Sequence, residues 1–505
     1  MQSLPIFLVV VLLAFGQTIP VAFAQNSIDS YDPGEQAGRE SDVQNQDELD
    51  LWRGSLIGIN LQQKDDGIYV TTIQSEASAG GFQVGDRVSR IGTVDLQKSG
   101  LEALRQMLAE TPPGTRIPIA IFRDNIPIDS FAISFRPELI DVDSIDSNIR
   151  KNLIIKKHLT SRGKIDLLEG LKSRMLNAVR QCDSPRAAQE CLNKLIDELD
   201  LSHSAYVPAC SMTTLNNEST GDVGVTLRRF AINGVEGYFV IDLKPASPAF
   251  QSSLRLGDRV ETINGTPIEL SRRLVLVGEE QRYGAFGLRV DIDETIQVQH
   301  RHSDGDDMEL ISIQATDSPS PKSTLDASVR VVESSGCRVG YIRLWNLMTP
   351  DIGKMFRDHV KTAFADCEAL VVDLRGRGGQ ITVVLDIEKT IRKLDIPVVL
   401  ITDEMTRSAK EILAFRLKRL NNVFVIGERT SGAVTGASFV TLPSGNTLMM
   451  PVQSADSLKT YIEGEILEGV GVEPDERIDF FEPFCNGQDR LLEAAIKRAP
   501  ERIVH

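Results

Sequence analysis

The feature that most constrains the fold is a regular alternation of short apolar runs and helix-like segments in the C-terminal third of the chain. Apolar runs cover 339–344, 369–374, 396–402 and 423–426, and helical patterns cover 382–394 and the residues after Arg407. Strands that alternate with helices form βαβ units and a parallel sheet. The sequence therefore predicts an α/β core whose active site lies beyond the carboxyl ends of the strands.

An internal repeat lies upstream of this core. Residues 84–88 have the sequence VGDRV and residues 256–260 have the sequence LGDRV, and a run of small residues precedes each. Each copy opens with a glycine between β-formers, Ile57-Gly58-Ile59 in the first and Val223-Gly224-Val225 in the second. The first copy closes with the strand-like run Ile117 to Phe122. The pattern predicts two copies of one β-rich module.

The stretch between the two copies has a helical pattern. Apolar residues recur there at spacings of three and four over 145–201, and the pattern ends at Leu201-Ser202-His203-Ser204. The second copy also carries an insertion-like stretch, about 274–289, which we expect to reshape the groove of that module.

The N-terminal residues predict export. An apolar stretch leads to Ala22-Phe23-Ala24, which predicts a signal peptide over 1–24, and the polar residues 25–50 predict a disordered leader. We therefore expect a periplasmic or secreted protein with no stable membrane span after cleavage. The net charge of −16 argues against nucleic acid and anionic membranes as partners.

Six cysteines in an exported chain allow disulfides, and the proximity of Cys182 and Cys191 favours that pair. None of the cysteines has metal-ligand spacing with a histidine, so we expect no metal and no cofactor.

Ser408 is the candidate nucleophile. It opens a helix beyond the strand 396–402, and Ser408-Ala409-Lys410-Glu411 also fits a capping box, in which the serine is only a helix cap. The glycines at 376–379 follow a neighbouring strand, and their amides together with the Ala409 N–H can converge on one oxyanion. A nucleophilic serine needs a base, and His203 is the best candidate among six histidines. His300 and His302 are expected on a polar, exposed strand.

Ordered motifs give the chain a family resemblance over roughly 145–215 and 325–480. The segments DLSHS at 200–204, VGYIR at 339–343, DLRGRGG at 373–379, TRSAKEI at 406–412 and LEGVGVEPD at 467–475 resemble those of the C-terminal processing peptidases and their tricorn-like relatives. The two repeats resemble PDZ modules in their bacterial form. The resemblance implies a crotonase/ClpP-like peptidase core at 319–505, a helical subdomain at 138–215 and PDZ-like domains at 51–137 and 216–318.

The resemblance also implies roles for individual residues. The Ser-Lys dyad of many relatives is absent, because the stretch that should hold its lysine is Gly432-Ala433-Val434. The tricorn-like arrangement fits instead. It makes His203 the base for Ser408, with support from Glu468 and Ser202.

Further residues follow from the same resemblance. The oxyanion donors are Gly378, Gly379 and Ala409. Peptide binding at the module openings involves Ile57, Gly58 and Ile59, and Val223, Gly224 and Val225. Three departures, Arg407, Lys410 and Gln380, are expected to narrow the cleft or alter specificity.

Together these observations predict a serine endopeptidase that acts on exported proteins or peptides and captures their tails through PDZ-like domains. A non-catalytic PDZ scaffold on a degenerate peptidase fold is the main alternative, and a carrier of small apolar ligands is a third. The sequence leaves the oligomeric state open.

Overall fold

The computed structural model describes residues 57–502 apart from 58, 65, 74–79, 112–114, 135–136, 183–184, 208–219, 233, 272, 277–283, 306 and 453–460. The predicted signal peptide (1–24), the predicted leader (25–50) and Gly58 lie outside these residues. Across the ranges described, every helix is too short or too polar to cross a membrane.

The first repeat forms an antiparallel sheet with one helix. Its strands occur in the order β1-β2-β3-β5-β6, with β4 paired to β3. Ile117, Ile119 and Ile121 of β5 are buried because alternate strand residues face the same side. The elements are β1 (Ile59–Lys64), β2 (Gly67–Ile73), β3 (Arg87–Ile91), β4 (Val94–Asp95), α1 (Leu96–Glu110), β5 (Arg116–Arg123) and β6 (Ile126–Ile133).

A helical segment follows, as predicted. Leu171, Met175 and Val179 form one buried stripe along α4, at the spacing of a helix that packs on one side. The helices are α2 (Pro137–Lys151), α3 (Leu153–Ser161), α4 (Leu171–Arg180) and α5 (Pro185–Asp197), and the short strand β7 (Ala205–Val207) ends the segment.

The favoured disulfide between Cys182 and Cys191 is not formed. The sulfur atoms of Cys182 and Cys191 lie 3.3 Å apart, whereas a disulfide needs about 2.05 Å.

The second repeat forms a larger antiparallel sheet, because its insertion adds two strands. The strand order is β13-β14-β9-β10-β11-β16-β17, with β12 paired to β11, and β15 pairs with β8 apart from this sheet. The elements are β8 (Thr220–Gly221), β9 (Val225–Ile232), β10 (Val235–Leu243), α6 (Pro248–Gln251), β11 (Arg259–Ile263), β12 (Thr266–Pro267), β13 (Leu274–Leu276), β14 (Ala285–Leu288), β15 (Val290–Asp291), β16 (Thr295–Arg301) and β17 (Glu309–Gln314).

The C-terminal part contains the predicted parallel sheet. Strands β19, β20, β21, β22 and β25 are parallel, and β18 pairs antiparallel with β19 at the edge. A separate antiparallel sheet joins β23, β24 and β7. The elements are α7 (Pro321–Ser328), β18 (Arg330–Ser334), β19 (Cys337–Arg343), α8 (Asp351–Lys361), β20 (Ala369–Asp373), α9 (Ile381–Ile391), β21 (Val398–Thr402), α10 (Ala409–Leu417), β22 (Val423–Gly427), β23 (Ala437–Thr441), β24 (Thr447–Pro451), β25 (Glu476–Arg477) and α11 (Arg490–Glu501).

Both faces of the parallel sheet are covered. Leu370 and Val372 of β20 belong to the cluster that includes α8, α9 and α10, whereas Ala369 and Val371 belong to the cluster that includes α11. A strand buried on both faces has a continuous apolar sequence rather than an alternating one, which explains the runs seen in the sequence.

A buried ion pair joins the second repeat to the parallel sheet. The guanidinium of Arg343, at the end of β19, donates to both oxygens of Asp242 in β10, at 2.7 Å each. Apolar contact supports the pair, since Phe230 of β9 stacks on Phe481 with ring centroids 5.0 Å apart.

The expectation that His300 and His302 lie on an exposed strand is wrong. They lie at the end of β16 and just after it. The His300 side chain is fully buried and that of His302 is 13% exposed. Alternation of polar residues along β16 suggested exposure, but the sheet places this end against β11.

The buried pair gives a stability prediction. Asp242→Ala leaves the Arg343 charge buried with only a 3.8 Å contact to Asp373, so we expect a loss of about 3–5 kcal/mol in unfolding free energy. The matched control is Glu404→Ala, which removes the ion pair between Arg228 and Glu404. This pair is more exposed than the Arg343–Asp242 pair, so its loss should lower the free energy of unfolding by only about 0–1 kcal/mol. Urea unfolding followed by tryptophan fluorescence measures both losses, and the ring centre of Trp345, one of the two tryptophans, lies 4.6 Å from Arg343 Cζ. Equal losses in the two variants would contradict the assignment.

Candidate active site

Ser408 lies in a strained turn between β21 and α10. Its backbone has φ 56° and ψ −128°, a conformation that a residue with a side chain rarely adopts. Its N–H donates to the Ala433 carbonyl at 2.8 Å and faces the Glu411 carboxylate at 3.3 Å. Strained strand-to-helix turns present the nucleophilic serines of α/β-hydrolases.

The capping box predicted at Ser408 is present. The Ser408 N–H donates to the Glu411 carboxylate at 3.3 Å, and the Glu411 N–H donates to the Ser408 carbonyl at 3.0 Å. Ser408 therefore begins the helix as predicted, and the residue is half-buried.

The glycine loop after β20 passes directly beside the serine. A Cβ on Gly378 would lie 2.6 Å from Ser408 Cβ and 3.2 Å from its Oγ, and a Cβ on Gly379 would lie 2.4 Å from the Leu347 backbone. Only glycine allows this approach. The Gly378 carbonyl accepts from the Leu347 N–H at 3.1 Å, which fixes the loop.

His203 and its predicted supporters form one buried cluster. The Ser202 hydroxyl lies 3.0 Å from His203 Nδ1 and 2.8 Å from Thr435 Oγ1. The Ser202 N–H donates to Glu468 Oε1 at 2.9 Å. Glu468 is half-buried, whereas Ser202, His203 and Thr435 are buried. Thr435 was missed in the sequence, since a threonine in a loop carries no signal of its own.

Three consecutive residues connect this cluster to the serine. The Ala433 carbonyl binds the Ser408 N–H, while the N–H groups of Val434 and Thr435 donate to Glu468 Oε2 at 2.9 and 3.2 Å. The segment 433–435 thus contacts all four predicted catalytic residues. It binds Ser408 through the backbone, Glu468 through two N–H groups, and Ser202 and His203 through the Thr435 hydroxyl.

Glu411 binds the residues at the start of the same segment through hydrogen bonds. Its carboxylate accepts from Thr430 Oγ1 and the Gly432 N–H at 2.6 Å each, and from the Ala433 N–H at 2.7 Å. Burial and the nearby Glu468 raise the pKa of Glu411 to about 7, and the donors oppose that rise. The sequence suggested only a helix cap for this residue.

Lys410 does not narrow the cleft, which corrects the expectation for that residue. Its side chain is fully buried, and its ammonium donates to the Arg375 carbonyl at 2.8 Å and to the Trp345 carbonyl at 3.0 Å. Burial and the charge of Arg343 lower the pKa of Lys410 to about 7. The lysine therefore supports the start of the glycine loop from inside the protein.

The residues predicted to bind peptide lie at the openings of the two repeats, and the sheet edges beside them differ. In the second repeat, Gly224 has φ 76°, its N–H donates to Asp222 Oδ1 at 2.7 Å, and a Cβ there would lie 2.1 Å from Ser247. Val223 and Val225 are buried, and β14 pairs with the edge of β9. In the first repeat, Ile57 and Ile59 are buried, and β1 is the terminal strand of its sheet among the described residues.

Comparison with known proteins identifies the fold of this region. The family model for peptidase family S41 matches residues 386–478, a range that contains Ser408 and Glu468. This segment of the chain is therefore similar to peptidase family S41. His203 and the glycine loop lie outside the matched range.

Curated proteins similar to this chain include two tricorn proteases. The tricorn protease of Thermoplasma volcanium is 27% identical over 189 residues, and tricorn protease homolog 1 of Streptomyces coelicolor is 30% identical over 195 residues. The matches cover 33% and 34% of this chain, and the chain spans only 18% of the length of either relative.

Solved structures that are similar to this chain include that of a photosystem II D1 C-terminal processing protease. It is 18% identical, with a TM-score of 0.41 over 68% of this chain and 93% of that one. A crystal structure of the tricorn protease is 16% identical, with a TM-score of 0.37 over 88% of this chain and 42% of that one.

The strained backbone at Ser408 gives a second prediction. The free energy of unfolding should be about 1 kcal/mol larger for Ser408→Gly than for Ser408→Ala. Glycine relieves backbone strain of about 1–3 kcal/mol, and its greater entropy in the unfolded chain costs about 0.5–1 kcal/mol of that gain. Both variants lack the hydroxyl, so only the backbone term differs. Urea unfolding measures the difference, and a glycine variant less stable than the alanine variant would contradict the strain.

Proposed function

We propose that the chain is a serine endopeptidase in which Ser408 is the nucleophile and His203 the general base. The observation that carries this proposal is the segment 433–435, which holds the Ser408 turn at its first residue and the Ser202–Glu468 cluster at the next two. A structural serine or histidine has no need of this shared support.

The proposed mechanism gives each of these groups one role. Ser408 Oγ attacks the substrate carbonyl carbon while its proton moves to His203, whose Nδ1 faces the Ser202 hydroxyl. The amides of Gly378, Gly379 and Ala409 stabilise the oxyanion. The C–N bond then breaks, His203 protonates the leaving amine, and water hydrolyses the acyl-enzyme.

The missing dyad lysine is compatible with this mechanism. In the stretch expected to hold it, Ala433 contributes a backbone carbonyl to the Ser408 N–H, and the adjoining amides bind Glu468. We therefore propose a tricorn-like arrangement on a crotonase/ClpP-like core rather than a Ser-Lys dyad.

We further propose that the two repeats are PDZ-like modules and that the first one captures the substrate tail. A peptide can add as a strand to an exposed sheet edge. The edge of β9 is already paired with β14, whereas β1 ends its sheet in the part of the chain that is described. The second repeat, joined to the core through Asp242 and Arg343, then acts as a fixed support.

Export to the periplasm or the exterior remains part of the proposal. It rests on the sequence of residues 1–24 and on the composition of the chain.

The proposed mechanism predicts the effect of three substitutions on hydrolysis of unfolded casein. We expect Ser408→Ala and His203→Ala to lower kcat by at least about 1,000-fold, and Glu468→Gln by less, because the carboxylate only supports the base. His359→Gln, which removes a surface partner of Asp326, is the matched control and should keep full activity.

Circular dichroism checks that each variant is folded. A folded parent without activity would favour the non-catalytic scaffold, and full activity in Ser408→Ala would place the catalytic site elsewhere.

Tail capture by the first repeat predicts a preference for a free C-terminus. A peptide substrate with a terminal carboxylate should have a lower KM than its C-terminal amide, with little change in kcat, because the module binds the tail and not the scissile bond. Steady-state kinetics on the matched pair provides the test. Equal KM values would exclude recognition of the carboxylate.

A further inference from the structure

The aspartate of the repeated Gly-Asp-Arg-Val motif has the same backbone role in both copies. Asp86 Oδ2 accepts from the Gln83 N–H at 2.7 Å, and Asp258 Oδ2 accepts from the Arg255 N–H at 2.8 Å. Both side chains are almost fully buried. Each buried carboxylate therefore needs a positive partner on its remaining side.

In the first copy that partner is an arginine. Arg123 donates from Nε to Asp86 Oδ1 and from Nη2 to Oδ2, both at 2.8 Å. The guanidinium neutralises the carboxylate in a two-bond geometry.

In the second copy, two histidines replace this arrangement. Arg87 pairs with Phe122 in the first copy and Arg259 pairs with Arg301 in the second, so the register places His302 where Arg123 stands. By the same register His300 takes the position of the buried Ile121. Two imidazoles thus occupy the positions near Asp258 that an isoleucine and an arginine occupy near Asp86.

The geometry of the three side chains is that of a ligand set. His302 Nδ1 lies 2.6 Å from Asp258 Oδ1. His300 Nδ1 lies 3.0 Å from Oδ2 without hydrogen-bond geometry, and neither ring nitrogen of His300 has a hydrogen-bond partner in the described structure. One ligand atom from each residue lies within 4.8 Å of the other two. A fully buried imidazole without a partner is costly unless something else binds it.

We propose that Asp258, His300 and His302 bind a divalent metal ion of the zinc type. Two imidazoles and one carboxylate are ligands that zinc prefers, and water can complete four-coordination. His302 Nε2 lies 3.4 Å from Glu309 Oε1, and a carboxylate behind a ligating histidine orients the ring in metal sites. The ion supplies the positive charge that Arg123 supplies in the first copy, and it ties β11 to the end of β16. The sequence analysis led us to expect no metal, and this proposal replaces that expectation.

Zinc content of the purified full chain tests the site. The untagged protein is stripped with a chelator, dialysed, supplied with Zn²⁺ and passed through a desalting column before metal analysis. We expect one zinc per chain and a Tm that rises with zinc concentration. Co²⁺ in place of Zn²⁺ should give the visible absorption of a four-coordinate site.

The matched variant rebuilds the first copy within the second. His300→Ile together with His302→Arg should remain folded, bind no zinc and lose the zinc-dependent rise in Tm, whereas His359→Gln should bind as the parent does. Zinc below about one-tenth of an equivalent in the parent would overturn the proposal whatever the variants do, and so would equal binding in the double variant. Because no activity is measured, this result is independent of the proposed peptidase function.

Discussion

A buried network of charges holds the glycine loop of the candidate active site, the helix α11 and the second repeat in one arrangement. Arg375, just after β20, donates to Asp373 and to Asp489, the residue that caps α11. The neighbouring guanidinium groups of Arg375 and Arg343 keep the pKa of Asp373 well below its ordinary value although the carboxylate is fully buried. Arg343 extends the network to Asp242 in the second repeat. Removal of Asp242 leaves the buried guanidinium of Arg343 with only the longer contact to Asp373.

This network reaches the serine through Lys410. The ammonium of Lys410 binds the carbonyl of Arg375, the residue that begins the glycine loop, and Lys410 is itself the second residue of α10. The loop that carries Gly378 and the helix that follows Ser408 are therefore joined inside the protein. On the other side, Glu411 and Glu468 hold the segment 430–435 with backbone N–H groups as donors. The surroundings of the serine are thus held by the buried carboxylate of Glu411, the half-buried carboxylate of Glu468 and the buried ammonium of Lys410.

The parallel sheet was predictable because its signal is local. The four strands predicted from the sequence each contain a continuous apolar run, such as Ala369–Val372 in β20, and burial on both faces produces that pattern in sheets of this kind. The motifs around Ser408 and the glycines were predictable for a related reason, since a serine at a strand-to-helix turn and a glycine-rich loop are short sequences.

What the sequence did not indicate depends on contacts between distant segments. The burial of Lys410 follows from the carbonyls of Trp345 and Arg375, and the role of Thr435 follows from a loop more than 200 residues earlier. His300 and His302 were misjudged because their strand is polar, and only the register with β11 shows that both face Asp258. Likewise, the insertion at about 274–289 could be seen in the sequence, but its pairing with β9 could not.

The central claim is that Ser408 is an activated nucleophile, and reaction with a fluorophosphonate probe followed by peptide mass spectrometry tests it most directly. A phosphonate bond forms only where a serine oxygen is activated, whatever the natural substrate. The account predicts a single adduct on the peptide that contains Ser408, with labelling strongly slowed in folded His203→Ala protein. A folded parent that remains unlabelled at Ser408, or an adduct on another serine that persists in Ser408→Ala, would contradict it.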